Sequence, residues 1–508
     1  MDVVRGTTVS RNAVLAIVQA LVFGCVLFLL YRYLLRTIGA EQIGIWAIVM
    51  ATASLSRIGE MGFAGSSVKF TAKYIARGEN TRAANVVETT VVTIGVVLAG
   101  VLAASYPVIV WLMEVIVPAD QVTAALSILS LALVAVWVGA IAGIPLSGLD
   151  GCQRVDLRAW VAMLASLFFL ALTWVLVPGY GLVGLVWAQI AQAAVSAIAS
   201  WILLRRELSG LPWLPRHWHR SLFREMFRYG VHFQTASIAA LLFEPTTKAL
   251  LVKFGGLTLT AYFEMANRMV LQFRALLVSA NQVVVPSVSA LHEISPKRIR
   301  KVYLDSYRVL FFLALPLSAL VAASAPLVSE IWIGRYEHSF VVYSLFLCVG
   351  FWLNTLVGPA YFVNLGTGQL RWNTAGHVAM GVLNGLLGFL LGSTFGAEGV
   401  VAGYGLALAL GSSLIVLGYH RDNGISLSEL LPAESKALLL VSWFGPLAGL
   451  AVFNFLTIPE ESLPKAGLSL AVCALVIAPA FWKHPLRPRL ARKFTATLWK
   501  SASRRPLP

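Results

Sequence analysis

The sequence predicts an all-α polytopic membrane protein with about fourteen transmembrane helices. Of its 508 residues, 58% are hydrophobic and only 12% are charged, whereas a soluble domain is nearer half apolar and a quarter charged. The apolar residues lie in blocks of about 18 residues or more, long enough to cross the hydrocarbon core of a bilayer. Because that core offers no water to the backbone amides, blocks of this length must form helices.

The predicted spans are separated by short polar segments. We place them at residues 12–34, 42–65, 86–111, 123–146, 158–177, 182–204, 229–252, 259–290, 303–325, 339–363, 374–393, 397–418, 437–456 and 465–482.

The lysines and arginines predict the orientation of these spans. If the N-terminus is cytoplasmic, 29 of the 39 basic residues fall in cytoplasmic segments, as the positive-inside rule requires. Both termini are therefore expected on the cytoplasmic side. The formal net charge of +16 is then explained by topology and lipid headgroups rather than by a nucleic-acid partner.

Two halves of the chain have similar sequence patterns. An offset of six predicted helices implies parallel repeats, related by an axis along the membrane normal. We therefore expect two pseudo-symmetric six-helix lobes that face a shared central cavity, with two helices appended. The matching segments are Ile38–Ala40 with Phe254–Gly256, Gly151–Arg154 with Gly368–Arg371, and Gly181–Gly184 with Gly396–Gly399.

The predicted domain limits follow from this repeat. They are an N-lobe at 1–204, a cytoplasmic amphipathic linker at 205–228, a C-lobe at 229–420, two further helices at 421–482 and a basic cytoplasmic tail at 483–508. For the linker, two interpretations remain open: a tether between the lobes, or a basic amphipathic helix on the anionic leaflet.

Ionisable residues inside spans are costly, so each one is a candidate functional residue. Arg57 and Arg274 differ by the repeat offset and could face one cavity from both lobes. Arginine pairs bidentately with phosphate oxygens, so such a cavity would suit an anionic ligand. The predicted substrate-binding residues are Arg57, Lys248, Arg268, Arg274, Asn267 and Gln272, and the candidates for ion coupling are Glu60, Glu244 and Glu264.

The helical spacing of these residues allows two interpretations. Asn267, Arg274 and Asn281 recur every seven residues, and Glu264, Arg268 and Gln272 recur every four. These two polar stripes should face water or a polar ligand. Alternatively, acids and bases three or four residues apart simply neutralise each other, as Arg57 could with Glu60, Glu244 with Lys248, and Glu264 with Arg268.

Arg274 has no acid at helical spacing, which makes it the strongest single candidate for ligand contact. No catalytic residue, metal site or cofactor is predicted. A nucleotide-binding loop is disfavoured, because the sequence has neither the GK[ST] signature nor strand context.

Three segments resemble the polysaccharide transporter branch (Wzx-like flippases) of the multidrug/oligosaccharidyl-lipid/polysaccharide exporter superfamily. They are Gly39–Trp46 with Arg57–Phe63, Ala261–Arg268 followed by Val285–Ser287, and Gly366–Gln369, and the resemblance covers residues 5–420.

This resemblance implies a flippase with a MATE/MOP-like fold and a cationic cavity that alternates between inward- and outward-open states. Its substrate would be an undecaprenyl-diphosphate-linked oligosaccharide for O-antigen, capsule or exopolysaccharide, moved across the bacterial inner membrane. Membrane lipids and polysaccharide polymerase or assembly proteins are the other expected partners.

Two other functions are alternatives to the export of a lipid-linked oligosaccharide. A multidrug antiporter of the same superfamily needs unpaired acids to hold a cationic drug, whereas basic residues at least match acids in these spans. A membrane glycosyltransferase or polymerase is expected to need a sizeable external loop with catalytic side chains. The external loops here are mostly short, so we do not expect an enzyme.

Overall fold

The computed structural model describes residues 6–60, 62–282, 288, 291, 295–455 and 462–490, with side chains except at 6–14, 230–240, 279–282 and 462. Within this part of the chain the secondary structure is helical. The α-helices are α1 (Gly6–Thr37), α2 (Gly39–Ser54), α3 (Phe63–Ala76), α4 (Asn80–Ile116), α5 (Val122–Gly151), α6 (Val155–Glu207), α7 (Arg220–Gln282), α8 (Ile299–Ile333), α9 (His338–Leu356), α10 (Gly358–Thr367), α11 (Arg371–Asp422), α12 (Lys436–Phe455) and α13 (Ser462–Lys483).

The predicted multi-pass helical fold is confirmed. Nine helices in the described residues are long and apolar enough to cross a membrane. Two of them, α6 and α11, are each broken by one glycine, Gly181 or Gly396, whose backbone is not helical. Helix α7 is broken in the same way at Gly256. Each broken helix corresponds to two of the predicted spans.

In the structure, the span predicted at 42–65 is not one continuous helix. Helix α2 ends at Ser54, a 3₁₀ turn covers Leu55–Glu60, and α3 begins at Phe63. Gly62 precedes α3 with a φ of 70°, a left-handed conformation that glycine adopts without the steric cost of a Cβ atom. Arg57 and Glu60 therefore lie in a tight turn between two helices rather than on one α-helical face.

The sequence repeat has a backbone counterpart at equivalent glycines. Gly181 and Gly396 are 215 residues apart and have φ, ψ values of 54°, −131° and 63°, −145°. Just after each break a second glycine packs against the preceding helix: a Cβ on Gly184 would lie 2.6 Å from the carbonyl oxygen of Leu176, and one on Gly399 would collide with that of Leu391. The same hairpin is thus built twice in one chain.

The chain divides into two compact units. The first unit is Leu21–Ala261 and the second is Met1–Ala20 with Tyr262–Pro508. This division falls within α7 and separates the start of α1 from its remainder, whereas the predicted lobes divide at the linker. The lobe limits stay a prediction.

In the first unit, α5 packs along α6, and α3, α4 and α5 pack against one another. Glu88 of α4 is 2% exposed, and its carboxylate binds the segment that precedes α7. Its Oε2 accepts hydrogen bonds from the backbone N–H groups of Arg216 and His217, each at 3.2 Å. The Trp218 indole N–H donates to Thr93 Oγ1 at 3.1 Å.

The helical part of the predicted linker also packs inside the first unit. Phe63 stacks on Phe223, with ring centroids 5.7 Å apart, and Met226 is 1% exposed. Lys73 Nζ and the Tyr74 hydroxyl donate to the Glu225 carboxylate at 2.7 and 3.0 Å. Residues 220–228 are therefore held by α3 and α4.

Glu225 predicts a pH-dependent contribution to stability. Burial raises its pKa, but the hydrogen bonds from Lys73 and Tyr74 and the charges of Lys73 and Arg77 outweigh that effect, so its pKa lies below the ordinary value. A carboxyl with a lowered pKa stabilises the fold above its unfolded pKa of about 4.3, and this stabilisation is lost as the pH falls through the folded value.

We expect Glu225→Gln to lower the free energy of unfolding at pH 7 by about 1 kcal/mol or less, because the pair is partly solvated. The difference from the unmutated protein should shrink at acidic pH in thermal unfolding followed by tryptophan fluorescence. Glu79→Gln, which removes only the exposed pair with Arg82, is the matched control. An equal loss at pH 7 and below pH 4 would contradict the assignment.

In the second unit, α9 packs along α11, and α8 contacts both α9 and the helix pair α12–α13. Close approach is made possible by small residues: a Cβ on Gly350 of α9 would lie 2.7 Å from the Cα of Gly405 of α11. Because lipid supplies no hydrophobic driving force between helices, close packing of this kind holds them together. These contacts position the second half of α7 against α8, α9 and α11.

Candidate functional site: a partly buried arginine in the second unit

Arg274 lies on α7, inside the second unit. Its Nη2 donates to Asn354 Oδ1 of α9 at 2.6 Å, and its guanidinium carbon lies 5.5 Å from the centroid of the Phe351 ring. Within the described part of the chain, Arg274 has no acidic partner. An arginine keeps its charge when it is partly desolvated. This side chain therefore places a partly buried cation beside a neutral amide and an aromatic ring.

Asn354 is held in the orientation that Arg274 needs. It is 7% exposed, and its Nδ2 donates to Ser412 Oγ of α11 at 2.9 Å. Because the amide nitrogen is used by Ser412, the amide oxygen is directed at the guanidinium. Three helices thus fix the Nη2 end of Arg274. Its Nε atom is buried and has no hydrogen-bond acceptor among the described residues.

The other predicted residues of α7 have different surroundings. Arg268 Nε donates to Glu264 Oε1 at 2.7 Å, with the arginine side chain 45% exposed and the glutamate 3% exposed. Gln272 donates to the carbonyl oxygen of Ala20 at 2.8 Å. Asn267 is completely buried, and its amide nitrogen and oxygen have no hydrogen-bond partner among the described residues. Asn281 lies among the residues whose side chains are not described.

In the first unit, the predicted charged residues form local pairs. Arg57 Nε donates to Glu60 Oε1 at 2.6 Å, with side chains 50% and 20% exposed. Lys248 Nζ lies 3.8 Å from Glu244 Oε2, and the lysine side chain is only 3% exposed. Arg57 thus has an acidic partner, whereas Arg274, which the repeat matches to it, is held by an amide.

The described residues contain no group of three histidine, cysteine, aspartate or glutamate side chains that could hold a metal ion. Two residues of the Arg274 site, Asn354 and Ser412, were not predicted from the sequence. They lie 80 and 138 positions further along the chain, on other helices, so no spacing pattern within one helix could identify them.

The fold has clear likenesses among solved structures. An inward-facing multidrug resistance MATE family transporter of the MOP superfamily is 17% identical with a TM-score of 0.65, covering 81% of this chain and 98% of its own. The lipid II flippase MurJ, in an inward closed conformation, is 12% identical with a TM-score of 0.66, covering 94% and 99%. A MOP superfamily transporter from Pyrococcus furiosus is 14% identical with a TM-score of 0.59, covering 84% and 99%.

These likenesses confirm the MATE/MOP-like fold, and with the many apolar helices they define the class: a multi-pass membrane protein with the fold of a transporter. A search of curated proteins finds no match. The model of the family described as polysaccharide biosynthesis protein matches residues 33–342, more than half of the chain. The protein belongs to that family.

Proposed function

We propose that the protein is a flippase that moves an undecaprenyl-diphosphate-linked oligosaccharide across the bacterial inner membrane by alternating access. The observation that carries this proposal is Arg274, a partly buried cation with an amide partner and no acid beside it in the described residues. A diphosphate supplies the missing negative charge, and its oxygens match the geometry of a guanidinium.

The family and the fold support the same proposal. The family is described as polysaccharide biosynthesis protein. One protein of the same fold is a flippase for lipid II. The hydrocarbon chain of such a substrate can stay in the bilayer, so only the sugar and the diphosphate must cross it. Both termini are proposed to be cytoplasmic, as the basic segments indicate.

The charge pairs favour this function over a multidrug antiporter. A cationic drug needs an acid that is available to it, whereas Glu60, Glu244 and Glu264 each lie beside an arginine or lysine. The same three acids stay our candidates for coupling transport to a proton or sodium gradient. The role of Glu264 would require Arg268 to move away from it, since a paired carboxylate holds its counter-charge tightly when buried.

The proposal predicts transport of a diphosphate lipid by the full-length protein in vesicles. A fluorescent undecaprenyl-diphosphate-linked sugar should become accessible to a membrane-impermeant quencher faster than in protein-free vesicles. In cells, depletion of the protein should leave the lipid-linked oligosaccharide on the cytoplasmic leaflet. Vesicles that move cationic dyes but no diphosphate lipid would establish the antiporter function instead.

A further inference from the structure

Two cavities adjoin each other in the second unit. The larger one, about 250 Å³, lies between α8, α9 and α12 and is lined mostly by apolar side chains. The smaller one, about 20 Å³, is lined by Arg274 and by residues of α7, α8 and α9. Three residues line both cavities, namely Ser318, Cys348 and Trp352.

Trp352 presents an unused hydrogen-bond donor at this junction. Its Nε1 is buried and has no acceptor among the described residues, and the same is true of Arg274 Nε. Buried N–H groups without an acceptor are rare in native proteins and require an explanation. The indole ring is oriented by edge-on contacts with Phe311 and Trp443, whose centroids lie 6.2 and 5.9 Å away.

The dimensions of the smaller cavity restrict what can accept these hydrogen bonds. A volume of about 20 Å³ holds roughly one water-sized oxygen atom. The acceptor is therefore one oxygen atom, either of a water molecule or of a larger group that extends beyond the cavity. An oxygen that receives an indole N–H and lies beside an unneutralised guanidinium should carry negative charge.

We propose that Trp352 Nε1 and Arg274 Nε together bind one phosphate oxygen of an isoprenoid diphosphate, and that Trp352 distinguishes this lipid from uncharged isoprenoids. The inference rests on the proposed function and assigns to it a second binding residue. Trp352 also lines the larger apolar cavity, so the hydrocarbon next to the phosphate can occupy that cavity. Inorganic diphosphate, which has no hydrocarbon, leaves that cavity unused.

Trp352→Phe tests this proposal, because phenylalanine keeps an aromatic ring in place and removes only the N–H donor and the second ring. Binding is measured on the purified full-length protein in detergent with farnesyl diphosphate, farnesol and a short-chain phosphatidylglycerol. We expect the variant to bind farnesyl diphosphate about tenfold more weakly, the effect of losing one hydrogen bond to a charged group. Its affinity for farnesol should change much less, because farnesol has no charged oxygen to accept the lost hydrogen bond.

Trp482→Phe is the matched control, since Trp482 is 68% exposed on α13 and is not among the residues that line the two cavities. It should bind all three probes as the unmutated protein does. Thermal unfolding of each variant separates a local loss of binding from a loss of fold.

Three results would overturn the assignment. If Trp352→Phe weakens farnesol and farnesyl diphosphate equally, the indole only packs against hydrocarbon. If it changes neither while Arg274→Ala weakens the diphosphate, Arg274 binds phosphate without Trp352. If phosphatidylglycerol binds as tightly as farnesyl diphosphate and shows the same loss, the site holds a membrane phospholipid. Failure of the proposed function is separate, because it appears as the absence of diphosphate-lipid transport by the unmutated protein.

Discussion

Arg274→Ala should reduce transport of a diphosphate lipid by about 10- to 100-fold while the protein remains folded. The substitution removes a partly buried cation. Its hydrogen bonds to a charged oxygen are each worth about 1.5–3 kcal/mol, and about 1.4 kcal/mol corresponds to a tenfold change in affinity. Arg274→Lys keeps the charge but loses the planar fork, so we expect an intermediate rate. Initial rates in proteoliposomes at matched protein content provide the measurement.

Arg308→Ala is the control for this experiment. Arg308 belongs to the same unit and lies 3.6 Å from Glu434, with half of its side chain exposed, so its loss should leave transport nearly unchanged. If Arg274→Ala transports at the rate of the unmutated protein, the cationic-site argument fails. If both variants lose transport equally, the effect is one of general charge rather than of a binding site.

Gly399→Ala should lower the thermal stability of the protein by several degrees. The added Cβ would collide with the carbonyl oxygen of Leu391, across the break at Gly396, and backbone atoms cannot rotate away as a side chain can. Overpacking of this kind costs about 1–3 kcal/mol and sometimes more. Unfolding of the detergent-solubilised protein, followed by fluorescence-detected size exclusion after heating, measures the shift.

Two further glycine substitutions serve as comparisons for Gly399→Ala. Gly184→Ala, the equivalent change in the first unit, should also destabilise the protein, but by less, because its Cβ would lie 2.6 Å from Leu176 O. Gly100→Ala meets no atom within 4 Å in the middle of α4 and should be neutral or slightly stabilising, since alanine favours helix. Equal unfolding temperatures for Gly399→Ala and Gly100→Ala would rule out the tight hairpin.

The helical spans could be predicted from the sequence because hydrophobic length alone determines them. The positions of two breaks also follow from the sequence, because Gly181 and Gly396 lie between predicted spans and match each other in the repeat. What the sequence did not reveal is the turn at Leu55–Glu60 and the packing of residues 220–228 onto α3 and α4. An apolar pattern shows that a segment is buried but does not show which helix covers it.

For the candidate site, the sequence identified Arg274 by the absence of an acid at helical spacing. The sequence also offered the three local charge pairs as one of two interpretations, because each acid lies three or four residues from its basic partner. Asn354, Ser412 and Trp352 could not be predicted in the same way. Their relation to Arg274 comes from packing between helices, and a single sequence contains no record of such neighbours.

The broken helices α6 and α11 have a practical consequence for mapping the topology of this protein. Each turns back on itself at one glycine, so the bend offers almost no peptide to a protease, an antibody or an inserted reporter. Insertion at residue 181 or 396 would separate the contact between Gly184 and Leu176, or between Gly399 and Leu391. The non-helical segment 117–121 is a better place for an epitope tag, because it can lengthen without disturbing a glycine contact.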